Sequence, residues 1–175
     1  MNIAVFLGAN CGTNKHIEEE TKKLGTFIGK HNHTLVYGGS KTGLMLELAS
    51  SAKENKGHVI GIEAKMFYED GKAYDLCDEF FVTDTLSERK MKMMNISDAF
   101  IALPGGTGTL DEITEIMVLD KLDKVHRPIY FINIDNFYDD MIKQLDKMVD
   151  FGFLTKHDRD LVKFIKSVDE LETSL

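Results

Sequence analysis

The sequence lacks most of the features that place a chain in a class at a glance. It has two cysteines in 175 residues, Cys11 and Cys77. Two cysteines this far apart make neither a zinc spacing nor a disulfide framework. Both read as reduced thiols of a cytoplasmic protein, with Cys11, in the first glycine loop, read as a small semi-buried residue. Positive charge is scarce: 21 Lys and Arg stand against 29 Asp and Glu, for a net charge of -8. Such a surface has no overall field to attract a polyanion, so nucleic acid is excluded as a nonspecific partner. A small anion in a local positive pocket is still compatible with it. No apolar run is long enough to cross a bilayer. The run Ile3 to Leu7 is shorter than a signal-peptide core and has no positive segment before it. A soluble cytoplasmic protein with no membrane partner is expected.

Three common ligand motifs are missing as well. The six histidines form no His-Glu-x-x-His or comparable cluster, so no catalytic metal is expected. No Gly-Lys-Ser or Gly-Lys-Thr occurs, which excludes a Walker A loop. The first glycine loop reads Gly8-Ala9-Asn10-Cys11-Gly12 rather than G-x-G-x-x-G. Tyr37-Gly38-Gly39 stands where a dinucleotide binder places a ribose-binding acid, so NAD is not expected. Nothing marks a pyridoxal-phosphate lysine, and no cofactor is expected.

What is present is a regular alternation. Short apolar runs, at Ile3 to Leu7, Thr34 to Tyr37, His58 to Ile62, Glu79 to Val82, Ala99 to Leu103, Ile129 to Ile132 and Leu161 to Ile165, read as strands. Helical spacing fills Lys15 to Lys30, Gly43 to Lys56, Leu86 to Ile96, Leu110 to Leu122 and Phe137 to Val149, with a short helix at the C-terminus. Glu63 to Cys77 reads as irregular and polar. The alternation predicts an α/β, Rossmann-like, doubly wound parallel sheet with helices on both faces. With 43% hydrophobic and 29% charged residues and no linker or repeat, residues 1–175 read as one domain.

In such sheets ligands bind outside the carboxyl ends of the strands, and three glycine-bearing loops fall at that edge: Gly8 to Gly12, Gly38 to Gly43 and Gly105 to Gly108. The third, Pro104-Gly105-Gly106-Thr107-Gly108-Thr109, joins a strand to a helix. Glycines let the backbone approach a ligand, and free N–H groups at a helix start favour an anion. A plain turn with Thr109 as N-cap needs fewer glycines, so the loop reads as a phosphate site. Glu112 is assigned to the first helical turn, where the dipole favours its ionised form, and Glu115 lies one turn on near the same face. An ionised carboxylate there suits a base, an oxocarbenium stabiliser or a sugar-hydroxyl acceptor. Arg89 has the guanidinium fork for a phosphate, with Lys90 as a point charge beside it; on spacing alone the pair reads as a solvated helix face, with Met91 and Met94 in the core.

Together these residues resemble the LOG (Lonely Guy) family of cytokinin-activating phosphoribohydrolases, also labelled lysine decarboxylase-like. The family's P-G-G-x-G-T-x-x-E stands here as Pro104 to Glu112, and its Arg-Lys pair as Arg89-Lys90, followed by Ser97 to Leu103. Tyr37-Gly38-Gly39, Gly43-Leu44-Met45 and Val59-Ile60-Gly61 extend the likeness over residues 1 to about 135. The resemblance implies cleavage of a purine nucleoside 5′-monophosphate, such as AMP or a cytokinin-type nucleotide, into free base and ribose 5-phosphate. It implies Arg89 and Glu112 as catalytic residues. It also implies a substrate site of Gly39, Arg89, Lys90, Gly105, Gly106, Thr107, Gly108, Thr109, Glu112 and Glu115, and a homodimer, for which the helix bearing Ile113, Ile116, Met117 and Leu119 is one candidate face. No residue is identified as the acid that protonates the leaving base.

The sequence departs from the family in two places. Its second loop reads Gly-Gly-Ser-Lys-Thr-Gly, where members usually have a third glycine. After Gly61 it continues Ile62-Glu63-Ala64 rather than toward a proline. The stretch from Glu63 to Cys77 is the expected wall for the base. Two other readings share the motifs: a non-catalytic carrier of a phosphorylated nucleotide or cofactor, like the molybdenum-cofactor carriers, and a ribosyl-transfer enzyme with an acceptor other than water.

Overall fold

The computed structural model describes residues 1–68, 77–122 and 127–175. Seven strands form one sheet, all neighbours parallel: β1 (Asn2–Phe6), β2 (Thr34–Tyr37), β3 (His58–Ala64), β4 (Glu79–Thr83), β5 (Ala99–Ala102), β6 (Ile129–Ile132) and β7 (Val162–Ile165). Their spatial order is β4-β3-β2-β1-β5-β6-β7. The chain builds outward from β1 to β4, then returns to the other side of β1 with β5. That reversal opens a crevice at the carboxyl ends of β1 and β5, as doubly wound sheets require.

The helices are α1 (Lys15–Lys30), α2 (Gly43–Glu54), α3 (Lys65–Tyr68), α4 (Leu86–Ile96), α5 (Thr107–Lys121), α6 (Asp139–Asp150), α7 (Lys156–Asp160) and α8 (Val168–Glu172). One face of the sheet packs on α1, α2 and α8 through Leu24, Ile28, Leu48, Ala52 and Leu171. The other packs on α4, α5 and α6 through Met93, Ile113, Ile116 and Met141, with Tyr138 just before α6. Strands β1, β5 and β6 are buried along almost their whole length, which explains continuous rather than alternating apolar runs. Among the described residues, no helix is long and apolar enough to cross a membrane.

Four expectations change. Helix α5 begins at Thr107, three residues before the expected Leu110. Glu63 and Ala64 extend β3, and Lys65–Tyr68 forms a helical turn, so the beginning of the stretch expected to be irregular is ordered; its residues 69–76 lie outside the described ones. Helix α6 starts at Asp139 rather than Phe137, because the backbone before it turns through Asp135 and Asn136 at positive φ. Ile113 and Ile116 belong to the core rather than to an outer face of α5; Val118 on that helix and Leu122 just beyond its end are exposed.

Candidate active site

The crevice is a cavity of about 780 Å³, a size that suits a mononucleotide-sized ligand. Each wall follows from the topology. The loop after β1 supplies Gly8 to Gly12, the loop after β2 supplies Ser40 and Thr42, and the end of β3 supplies Glu63. Helix α4 supplies Leu86, Arg89 and Lys90, and the β5–α5 connection supplies Pro104 to Thr109 with Asp111 and Glu112. Met45, Phe67 and Phe137 add apolar surface.

The β5–α5 loop is shaped by contacts that exclude side chains. A Cβ on Gly105 would lie 2.2 Å from Thr109 Oγ1 and 2.8 Å from the Gly8 nitrogen. The Gly8 N–H donates to Pro104 O at 3.2 Å, tying the two crevice loops together. A Cβ on Gly106 or Gly108 would meet nothing within 4 Å, so at those two positions it is room beside the cavity, not packing, that glycine leaves. The Leu110 N–H donates to Gly106 O, which makes Gly106, not Thr109, the N-cap. The N–H groups of Thr107, Gly108 and Thr109 therefore form the first helical turn, where no helical carbonyl precedes them and an anion is favoured. Thr109 is buried, with its hydroxyl against Gly105.

Behind this loop lies a cluster of buried charge. Arg89 is 8% exposed, so it is not part of a solvated helix face. Its Nε donates to Ile62 O at 2.8 Å and its Nη1 to Glu112 Oε1 at 2.5 Å. Glu63 Oε1 is 3.5 Å from the same Nε and accepts from the Ala64 N–H at 3.0 Å. The guanidinium packs so close to Gly38 that a Cβ there would lie 2.4 Å from Nη2. Two carboxyl groups thus share one guanidinium. Burial pushes both Glu112 and Glu63 above the usual carboxylate range, and Arg89 only partly opposes the rise. For Glu112 this replaces the expectation that the helix dipole sets its charge: burial opposes the ionised form and the Arg89 bond is what favours it. With α5 starting at Thr107, Glu112 falls in the second turn, where the dipole has weakened and burial outweighs it.

Most of the sequence-predicted residues converge on this cavity: Arg89, Lys90, Gly105, Gly106, Thr107, Gly108, Thr109 and Glu112 all line it. Two do not. Gly39 stands behind the wall at φ +79, where a Cβ would lie 2.9 Å from the Phe80 ring. Glu115 faces Lys90, whose Nζ is 2.8 Å from Glu115 Oε2 and 3.0 Å from Asp111 Oδ2. These partners raise the Lys90 ammonium above its ordinary pKa, the Glu115 hydrogen bond most of all. Cys11, expected to be semi-buried, is exposed at the cavity mouth. Glu63 is the functional candidate that reading by motif missed as a side chain of the site. Its signal was an acid closing an otherwise apolar strand at the sheet's ligand edge. Among the described residues no three His, Cys, Asp or Glu side chains converge as a metal site requires.

Comparison with known proteins gives a consistent result. The family model described as possible lysine decarboxylase matches residues 45–175. The cytokinin riboside 5′-monophosphate phosphoribohydrolase LOG1 of Arabidopsis thaliana is 34% identical over 174 residues, covering 99% of this chain and 81% of its own. The probable phosphoribohydrolase LOGL9 of Oryza sativa subsp. japonica is 33% identical, covering 95% and 73%. Among solved structures, the molybdenum cofactor carrier protein of Chlamydomonas reinhardtii superposes with a TM-score of 0.74 at 23% identity, covering 99% of this chain and 94% of its own. The molybdenum cofactor binding protein of Rippkaea orientalis gives 0.72 at 24%, covering 99% and 95%. At these identities the two structures share the fold.

Proposed function

The chain belongs to the LOG family, the family whose model is described as possible lysine decarboxylase, and from that premise we propose that it hydrolyses the N-glycosidic bond of a purine nucleoside 5′-monophosphate. The products are the free base and ribose 5-phosphate. One observation carries this reading above the others: the anion-favouring start of α5 and the buried Arg89–Glu112 pair open on the same cavity. A phosphate carrier has use for the first and none for the second.

The roles follow from the chemistry. Gly106, Thr107, Gly108 and Thr109 receive the 5′-phosphate at the helix start. Met45, Phe67 and Leu86 offer the base an apolar seat at the α4 side of the cavity. The ribose between them lies against Glu112. As the C1′–N bond lengthens, positive charge grows on the ribose ring, and a carboxylate beside it stabilises that charge and takes a proton from the attacking water. Arg89 fixes the Glu112 carboxylate in place through its Nη1 bond and keeps part of its charge neutralised until substrate arrives. Lys90, held by Asp111 and Glu115, supplies positive field at the rim. The protein works as a homodimer in this reading, with the exposed Val118 on α5 and Leu122 just beyond its end available for the contact.

The test is direct. The chain is incubated with AMP, with isopentenyladenosine 5′-monophosphate and with adenosine, and free base and ribose 5-phosphate are measured. Both nucleotides release base. Adenosine falls behind AMP at least a hundredfold in kcat/KM, since two charge-assisted hydrogen bonds to phosphate at about 1.5–3 kcal/mol each are lost. Tight binding of AMP without release of base replaces the hydrolase with a carrier, the function named for the Chlamydomonas reinhardtii protein that shares its fold. Equal rates on adenosine and AMP remove the phosphate role from the α5 loop. Sedimentation gives the oligomeric state.

A further inference from the structure

We propose that Glu63 is the general acid that protonates the leaving base, an assignment that rests on the hydrolase reading above. Cleavage of a purine N-glycoside leaves an electron pair on the base, and at neutral pH a purine anion is a poor leaving group. A donor on the base side of the ribose removes that difficulty. Glu63 is the side chain so placed. It ends β3, two strands away from β1 in the sheet order, on the side opposite β5 and its phosphate-binding loop. It lines the same cavity as Glu112, beside the apolar surface of Phe67 and Leu86.

Its contact with Arg89 differs from that of Glu112. One guanidinium faces two carboxyl groups. Glu112 takes the direct bond to Nη1 at 2.5 Å, while the Nε nearest Glu63 already donates to Ile62 O. Charge is balanced when one carboxyl is ionised; burial raises both, and the direct Nη1 bond, which Glu63 lacks, gives the ionised state to Glu112 and leaves the proton to Glu63. Among the described residues, the other elements packed around Glu63 bring uncharged groups against it: the loop after β2 brings Gly39 and β4 brings the Phe80 ring, with Thr83 Oγ1 donating to the Glu63 carbonyl. Burial raises the Glu63 pKa, with Arg89 opposing the rise and the Glu112 carboxylate adding to it. Two carboxyls on one cavity, one holding the proton and one the charge, is the arrangement that glycoside cleavage uses.

The step balances. The C1′–N9 bond breaks with both electrons passing to the base, and the Glu63 proton moves to a base nitrogen. The water oxygen bonds to C1′, and one water proton passes to Glu112. Proton exchange with solvent then returns Glu63 to the acid and Glu112 to the carboxylate. One water is consumed, and no oxidant or further reactant is needed.

The test compares AMP with 7-methylguanosine 5′-monophosphate, whose base already carries a positive charge and leaves without being protonated. On the unmodified chain, kcat for AMP is full below the pKa of Glu63 in the complex and falls as pH rises through it. On the N7-methylated nucleotide that basic limb is absent. Glu63→Gln lowers kcat for AMP by about 10²–10³-fold, removes the basic limb, and costs less than about fivefold on the N7-methylated nucleotide. Glu63→Asp, which keeps a proton to give, recovers part of the AMP rate. A similar loss on both substrates, or an unchanged AMP rate in Glu63→Gln, overturns the role while leaving the hydrolase intact. No release of base by the unmodified chain from either nucleotide overturns the hydrolase itself, and the role with it.

Discussion

Two helix seams on opposite faces of the sheet are built on opposite principles. Between α1 and α2 the backbones nearly touch. A Cβ on Gly25 would lie 2.4 Å from Leu48 O, and one on Gly29 2.8 Å from Ala52 O. The interior of that seam is made of small, uncharged residues, Ser51 and Ala52 among them, and its ion pairs, such as Lys22 with Glu47, sit at the half-exposed rim. Between α4 and α5 the space is bridged by long charged side chains: Arg89 to Glu112, and Lys90 to Asp111 and Glu115. Close packing lowers the free energy of the folded chain without needing a ligand. Buried charge does the reverse, since its desolvation can exceed its Coulombic gain. The difference teaches where to look for chemistry: the first seam is built for close packing, and the second holds charge that packing alone does not require.

Substitutions on the two sides should therefore separate stability from turnover. The largest effect belongs to Glu112→Gln, an isosteric change. It lowers kcat for AMP at least a hundredfold, within the range for loss of a proton-transfer group, while thermal melting shifts by a few degrees at most. Near-normal turnover in steady-state kinetics would remove Glu112 from the mechanism and leave the α4–α5 charges without a catalytic purpose.

Arg89 comes next. Arg89→Ala loses at least tenfold in kcat/KM, and because Nε and Nη1 bond to Ile62 O and Glu112, most of the loss falls on kcat rather than KM. Arg89→Lys recovers little, since one ammonium cannot bond a carbonyl and a carboxylate in the fixed geometry of the guanidinium. A loss confined to KM would return Arg89 to phosphate anchoring alone.

The smallest effects come from a matched pair of glycine substitutions. Gly25→Ala destabilises by about 1–3 kcal/mol through overpacking, read in urea unfolding, and leaves kcat of the folded protein unchanged. Gly106→Ala, with free space for its Cβ, destabilises by about 1 kcal/mol at most, the cost of Ala at an N-cap, but raises KM for AMP several-fold by crowding the phosphate. If Gly106→Ala unfolds the chain and Gly25→Ala damages only turnover, the division between the seams is wrong.

Much of the site was legible from residue order, because the features concerned are local. The run Pro104 to Glu112 carries its own turn, helix start and carboxylate within nine residues, so motif and geometry coincide. Arg89 illustrates the limit. Its spacing reads as a solvated helix face, and only the packing of α4 against β3 buries it and turns it to Glu112. What sets the charge of Glu112 was misread for a related reason. A dipole argument needs only the distance from the helix start, whereas burial needs the neighbours. Gly39 and Glu115 share the motif's vicinity but not its wall, since one is covered by Phe80 and the other is taken by Lys90.

By itself the sequence determined the α/β alternation, the seven strands, and the three glycine loops at one edge, because hydrophobic period and glycine placement are properties of short windows. Its motifs also determined the family. The tertiary structure decided which charges meet. Glu63, Arg89 and Glu112 are 26 and 23 residues apart in the chain, on a strand and two different helices. Their contact exists only once β3 and β5 are set in the same sheet and α4 and α5 lie on the same face of it. Nothing in the spacing of three such residues encodes a shared guanidinium; the order in which the strands assemble does.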